Sequence, residues 1–380
     1  MPDTAGPQLI DATLAEAPTG SALLRWVKRL LTAVIGVALT GGLIGSAFYR
    51  PVFAGGFHLE ERFPLAEWFA ALPSHLPWLA LFALFSASVV PLRAWKWGFL
   101  LGQGGQRPRY ADRYHAVAFG LLAQNVIPGK MGEPVRAYSL SRFSGLPFFK
   151  TLGTIAICKL SDLFALVALG AISPAGPIFG SADGLKGGLV GVALAVPVLV
   201  ALLVGGARHA PRLAGWLEAR NRAPKLARTI RHLADGIRGA TPSGIAKHVL
   251  ATGVAILSVS LGYTVALAGV GVADVGLLSG VVVLAAITLG QSPPGVPAGL
   301  GMYYLSASWA ARALGATAEQ AATIAVLTHL ATVISHAGVG FTSLLVKKVR
   351  IRDFVPIGKG KGGAAPVPAP SVELSRATAA

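Results

Sequence analysis

The chain has 380 residues, 53% hydrophobic and only 13% charged, with a mean hydropathy of +0.63. Soluble domains run about 25% charged, so a soluble globular protein is excluded and an integral membrane protein with several helical spans is indicated. The net charge of +17 gathers in a few loops beside apolar runs, which fits the positive-inside rule and anionic headgroups better than nucleic acid.

Residues 1–24 read as a disordered tail, Pro/Ala/Thr-rich at the start. Arg25, Lys28 and Arg29 precede an apolar run near Leu30–Tyr49. Its near-spanning length, with no small-residue cleavage site after it, marks a retained span rather than a signal peptide. Residues 50–75 form a slightly acidic loop suited to the outside. A span follows near Leu76–Leu101, with Arg93, Trp95, Lys96 and Trp97 as an aromatic and basic interface anchor. Residues 114–140 then carry Pro128, Gly129, Gly132 and Pro134 together with Lys130, Glu133 and Arg136. Proline removes a helix donor and glycine lets the freed backbone bend. Such breaks persist at membrane depth only where protein or a water-filled cavity satisfies the backbone, and charge there is functional by default. Arg142 and Lys150 follow, so the charge rule predicts a hairpin that dips in from the cytoplasm and returns.

Thr151–Ile172 and Leu185–Val204 are the next two predicted spans. The loop 206–247 between inner ends holds nine Lys/Arg against Glu218 and Asp235. Within it Leu226, Ile230, Leu233 and Ile237 form one helical stripe, predicting an amphipathic helix on the inner leaflet or a soluble connector. His248–Val270 crosses outward. Val275–Ala313 contains a second broken stretch with Pro294, Pro297, Gly299 and Gly301. The last span, about Glu319–Val346, ends in Lys347, Lys348, Arg350 and Arg352 and so finishes inside, which makes the second hairpin dip in from outside. Residues 354–380 read as a disordered tail.

Sliding the sequence by 169 residues lays Pro128 on Pro297, Gly132 on Gly301 and the span 76–101 on 245–270 without a gap. Each half then reads span, span, broken hairpin, span. Three crossings per half is odd, so the second half is inverted. Matching Gly/Pro-interrupted segments in inverted halves are a transporter pattern, with the site near the midplane.

The chemistry-bearing residues near the breaks are Asn125, Lys130, Glu133 and Arg136. Lys159 and Asp162 lie within the following span, three apart and on one helix face. The second half offers Gln291, Tyr303 and Tyr304, with His329 and His336 in the last span; paired histidines on an apolar helix are usually hydrogen-bonded core residues. The positive excess suits an anionic headgroup, since arginine binds phosphate bidentately and lysine acts as a point charge. No G-x-S-x-G, H-E-x-x-H or P-loop occurs, and neither a metal nor a cofactor is expected. The lone cysteine, Cys158, excludes an intrachain disulfide and reads as a small buried hydrophobe.

The run Asn125-x-x-Pro128-x-x-x-Gly132-Glu133-x-x-Arg136, then Gly145, then Thr154-Ile155 leading to Lys159-x-x-Asp162, resembles the membrane domain of lysylphosphatidylglycerol synthases. Pro294-x-x-Pro297-x-Gly299-x-Gly301 and Leu314-Gly315 extend the resemblance over about residues 25–350. Relatives without the soluble domain are called flippase-like. The resemblance implies translocation of a polar-headed lipid, with Asn125, Gly132, Glu133, Arg136 and Asp162 as the functional set. This chain departs from the family at Cys158-Lys159, where an acid–arginine pair is usual, and at Thr328-His329, where an arginine is usual. Without an aminoacyl-transferase domain it is not expected to synthesise lysyl-lipid.

The expectation is thus an all-α polytopic membrane protein with about six spans and two broken re-entrant hairpins in an inverted repeat. The membrane domain covers 25–353, with halves of about 25–172 and 185–350. It sits in the inner membrane with both termini cytoplasmic, and is not an enzyme. Its partners are membrane lipids with polar or anionic headgroups. Asn125, Lys130, Glu133, Arg136, Lys159, Asp162, Gln291, Tyr303 and His329 would bind substrate. Pro128, Gly129, Gly132, Pro134, Pro294, Pro297, Gly299 and Gly301 would break the helices. Two alternatives stand: a scaffold that positions a lipid-biosynthetic enzyme of a glycolipid or hopanoid pathway through its basic loop, or a membrane-embedded transferase using Glu133.

Overall fold

The structure is a computed structural model that describes residues 49–52, 58–61, 64–101, 107–127, 131–171, 205–220, 224–291 and 301–349, together with 198 and 201. The spans expected at Leu30–Tyr49 and Leu185–Val204, both tails, and the break residues Pro128, Gly129, Lys130, Pro294, Pro297 and Gly299 lie outside these, apart from Tyr49 and isolated positions at 198 and 201.

A short antiparallel hairpin comes first, β1 (Tyr49–Val52) against β2 (His58–Glu61), with Arg50 opposite Glu60. The expected loop therefore carries a small strand pair, and Tyr49 belongs to it rather than to a span. Helix α1 (Leu65–Ala87) and α2 (Val89–Trp97) follow, forming one apolar crossing from Ala66 to Trp97. The span begins well before Leu76, the position expected from the sequence. Pro73 and Pro77 sit inside α1; a membrane helix tolerates proline where neighbours re-satisfy the freed backbone. Trp68 near its start donates its indole N–H to Thr323 Oγ1 at 2.6 Å.

The first broken segment is α3 (Tyr110–Val126) and α4 (Gly132–Ser144), packed along each other. Helix α5 (Phe148–Ala171) is the next crossing. A helix over 205–219, α6, and α7 (Pro224–Arg238) form the basic connector. Helix α8 (Pro242–Gly269) crosses, α9 (Ser279–Gly290) and α10 (Met302–Ala313) form the second broken segment, and α11 (Ala318–Lys347) is the last crossing. Four of the six expected spans are thus among the described residues. At about 1.5 Å per residue α3, α4, α9 and α10 are about 18–26 Å long, short of the ~30 Å hydrocarbon core.

Contacts fix the ends of the hairpins. Lys347 at the end of α11 donates to Asp112 at the start of α3 at 2.7 Å, and its ammonium lies 4.7 Å from the Phe143 ring at the end of α4. Both ends of the first hairpin therefore lie at the C-terminal end of α11. Gln320, in the first turn of α11, donates from Nε2 to the carbonyl of Val270, just before the loop that leads into α9. The other limb, α10, ends at Ala313, four residues before the N-cap Thr317. Both ends of the second hairpin therefore lie at the N-terminal end of α11. Tyr110 and Phe148, moved on by 169 residues, fall on Ser279 and Thr317, at or next to the starts of α9 and α11.

Among the described residues three apolar clusters form. One gathers Trp68, Phe82, Tyr263, Leu267, Ile324 and their neighbours from α1, α8, α9, α10 and α11; a second gathers Val90, Trp97, Val117, Leu140 and Ile157 from α2 to α5; a small third joins Phe119, Leu122, Val135 and Leu344 of α3, α4 and α11. Leu76, Leu250 and Leu345 are 61–79% exposed on the crossings, as lipid-facing side chains are in a bilayer. The amphipathic stripe of α7 is partly spent on protein. Ala227, Ala234 and Ile237 are buried and the backbone of Gly236 meets that of Lys150 and Gly153 on α5, while Leu226 stays exposed.

Candidate functional site

The site grows from the break between α3 and α4. Gly120 on α3 faces Gly132 on α4 so closely that a Cβ on Gly120 would stand 2.8 Å from the Gly132 carbonyl oxygen, and one on Gly132 2.8 Å from the Gly120 carbonyl oxygen. Gly132 therefore serves close packing as well as the break. Glu133 and Pro134 occupy the first turn of α4, where a missing proline N–H costs no helix bond and a carboxylate suits the positive end of the helix dipole.

One turn on, Arg136 is buried at 5% exposure. Its guanidinium lies over the Trp97 ring, Cζ 4.0 Å from the centroid, a contact worth roughly 2 kcal/mol when desolvated. Trp97 is held in place by its indole N–H, which donates to Thr154 Oγ1 at 2.9 Å. Arg136 Nη1 reaches Glu133 Oε2 only at 3.4 Å, beyond the usual 2.7–3.2 Å range. Its Nε and Nη2 are buried with no hydrogen-bond partner among the described residues. Glu133 Oε1 pairs at 2.5 Å with Lys159 of α5, which is half-exposed. Arg93, Gln124, Gly132, Glu133 and Arg136 line one small cavity between α2, α3 and α4.

A second ion pair lies beside the first. Lys96 of α2, 3% exposed, pairs with Asp162 of α5 and donates to Thr252 Oγ1 of α8 at 3.1 Å. His248 Nδ1 lies 2.9 Å from the Lys96 carbonyl oxygen. Lys159 and Asp162 do share a helix face, yet each pairs with another helix rather than with its neighbour. Lys96 and Trp97 are not interface anchors. Both are buried, while Trp95 is 44% exposed. The signal was present in the sequence: Phe99, Leu100 and Leu101 continue the apolar run after the charges, which a true membrane boundary would not do. Nothing in the sequence pointed to His248 or Thr252.

Asn125 sits on the last turn of α3, its side-chain Nδ2 buried and without a partner among the described residues. Lys130 is outside the described residues. The second-half residues fall in a separate cluster. Tyr303 Oη is 2.9 Å from both Tyr263 Oη and Thr328 Oγ1. His329 stacks on Tyr303 at 4.4 Å and its Nδ1 lies 3.0 Å from Tyr304 Oη. The sequence groups Tyr303 and His329 with Arg136 as substrate-binding residues; the structure packs Tyr303 into the α1/α8/α9/α10/α11 core, with His329 stacked on it, apart from the cavity that Arg136 lines. Gln291 caps α9, and Gly301 precedes α10 with φ of 89°, a conformation that favours glycine. Cys158 is 1% exposed, a buried free thiol.

Fold and site together define an all-α polytopic membrane protein with an ionic cluster at a broken helical hairpin. A family model described as Lysylphosphatidylglycerol synthase TM region matches residues 34–340, and the chain belongs to that family. Membership ties it to lipid handling at a membrane. No curated protein and no solved structure matches the chain.

Proposed function

We propose that the protein moves a lipid with a polar or anionic headgroup between the leaflets of the inner membrane, with both termini cytoplasmic. The observation that carries this reading is the buried, under-partnered Arg136 beside the break of a hairpin too short to span. A buried arginine without full pairing is costly. In a protein of a lipid-handling family, a headgroup is the natural anion to complete it. The two hairpins, with their ends at opposite ends of α11, support an inverted arrangement in which the halves alternate about a site near the midplane. Arg136 and Lys159 would receive the headgroup while Glu133 releases them. Lys96 and Asp162 would hold α2, α5 and α8 together. The lipid leaves unchanged.

The test is translocation in proteoliposomes carrying headgroup-labelled phospholipids, read with a membrane-impermeant quencher. Wild type is expected to expose inner-leaflet label rapidly, and Glu133→Gln and Arg136→Ala to slow it strongly while retaining the wild-type elution profile. Equal rates in wild type and Arg136→Ala would remove the headgroup role. A chemically new lipid in the mass spectrum would favour the transferase reading.

A further inference from the structure

Arg93 takes no part in the pairing described above. It lies on α2, one turn before Trp97, and lines the same cavity as Glu133 and Arg136. It is half-buried, and among the described residues it makes no hydrogen bond or ion pair. Lys96 is taken by Asp162, and Lys159 by Glu133 until a headgroup exchanges for that bond. Among the described residues the charge left over rests on Arg93 and Arg136; the one described carboxylate lining the cavity is Glu133, already bound to Lys159, and Asp162 lies within electrostatic reach of Arg93 while paired with Lys96. Arg136, its own side chain more than nine-tenths buried, in addition holds two nitrogens without a partner among the described residues.

We propose that Arg93 and Arg136 form a two-arginine clamp for a lipid phosphate, and that the preferred cargo is a net-anionic phospholipid, held most tightly when its phosphate is a monoester. The clamp rests on the preceding reading only for the location of the site. Two guanidinium groups from different helices offer planar donor forks to the three free oxygens of a monoester, whose charge at neutral pH is about −1.5 to −2. That charge matches the surplus of two cations among the described residues of the site, Arg93, Lys96, Arg136 and Lys159 against Glu133 and Asp162. A phosphodiester brings a single negative charge and two free oxygens, and so fills the clamp in part. A zwitterionic headgroup adds an ammonium beside Arg93, which like-charge repulsion disfavours. The Arg136 Cζ lies 4.0 Å from the Trp97 ring centroid, a contact that holds the guanidinium in place.

The experiment is binding of short-chain fluorescent phosphatidate, phosphatidylglycerol and phosphatidylethanolamine to the purified full chain in a neutral detergent, with inorganic phosphate as competitor. Affinity is expected to fall in that order. Arg93→Gln is expected to weaken phosphatidate by about tenfold and to flatten the order, while Arg93→Lys, keeping charge without the fork, loses about threefold. Inorganic phosphate that displaces the probe at concentrations as low as unlabelled phosphatidate does would assign the site to free phosphate rather than to a lipid and overturn the cargo claim. Equal binding of phosphatidate and phosphatidylethanolamine in wild type overturns the clamp without any variant. An unchanged order in Arg93→Gln, at an unchanged unfolding temperature, does so as well. Leaflet exchange measured in parallel separates the two readings. Ordered binding without exchange removes translocation and keeps the clamp; exchange of all lipids, indifferent to Arg93→Gln, does the reverse.

Discussion

Two ion pairs at the first break differ in what they do. Lys159 is half-exposed, and exposed pairs contribute little, about 0–1 kcal/mol. Its bond to Glu133 is therefore a suitable one to exchange for a substrate phosphate. Lys96 is buried, and its carboxylate partner Asp162 is 27% exposed on its side chain. Removing one member of a buried pair costs about 3–5 kcal/mol, and the partial exposure of Asp162 places this pair toward the lower end. Lys96→Met and Asp162→Leu are each expected to lower the unfolding temperature in detergent, and the double variant to recover most of the loss. Independent, additive losses would show that the pair is not the unit described here. This pair also shows why Lys96 was misplaced from sequence. A basic residue between two tryptophans has the composition of a membrane boundary; its partners on α5 and α8 place it in the interior, in line with the apolar Phe99, Leu100 and Leu101 that follow it.

Among the elements, the α3–α4 hairpin is held by backbone proximity rather than by side-chain burial alone. Any side chain at Gly132 meets the Gly120 carbonyl oxygen and Gln124 Cβ within 2.9 Å. Gly132→Val is expected to push the helices apart, to cost about 1–3 kcal/mol of stability and to slow lipid exchange. Thermal unfolding and exchange rates measured on the same preparation check this; a variant as stable and as active as wild type would contradict it. The two broken segments were legible in the sequence because Gly and Pro clusters interrupt apolar runs at matched positions, and helices do stop at Val126 and Gly290 and resume at Gly132 and Met302. The start of α1 was not legible, since Glu67 and the charges before it read as a slightly acidic loop over 50–75, and the contact of Trp68 with Thr323 of α11 has no trace in one dimension. For α7 the stripe was legible but not what covers it: period reports which face is apolar, and here α5 takes the Ala234–Ile237 part of that face.

For the whole molecule, the placement of hairpin ends yields a topology that can be read chemically. Leu277, 65% exposed, lies in the loop between α8 and α9, and Leu226, 51% exposed, lies on the basic connector that packs on the start of α5. With Cys158 buried as a silent background, Leu277→Cys is expected to react with an impermeant maleimide from outside intact cells, and Leu226→Cys only after the membrane is opened. Labelling of both from one side would contradict the inverted arrangement. Charge counting by the positive-inside rule makes the same prediction, with Lys347 and the arginines before α3 on the inner side. What no one-dimensional reading showed was the division of polar residues into two clusters. Tyr303 and His329 have chemistry suited to a site, but their partners, Tyr263, Thr328 and Tyr304, are one another's neighbours in a packed core.

The central claim is that a lipid headgroup enters the cavity beside Arg136. Its most direct test is a photo-reactive amino acid at Gln124, which lines that cavity, with the same residue at lipid-facing Leu330, 52% exposed on α11, as reference. Irradiation in native membranes is expected to yield a phospholipid adduct at both positions, and Arg136→Ala to abolish the adduct at Gln124 while leaving that at Leu330. An adduct at Leu330 alone, or one at Gln124 that persists without the Arg136 guanidinium, would contradict the account.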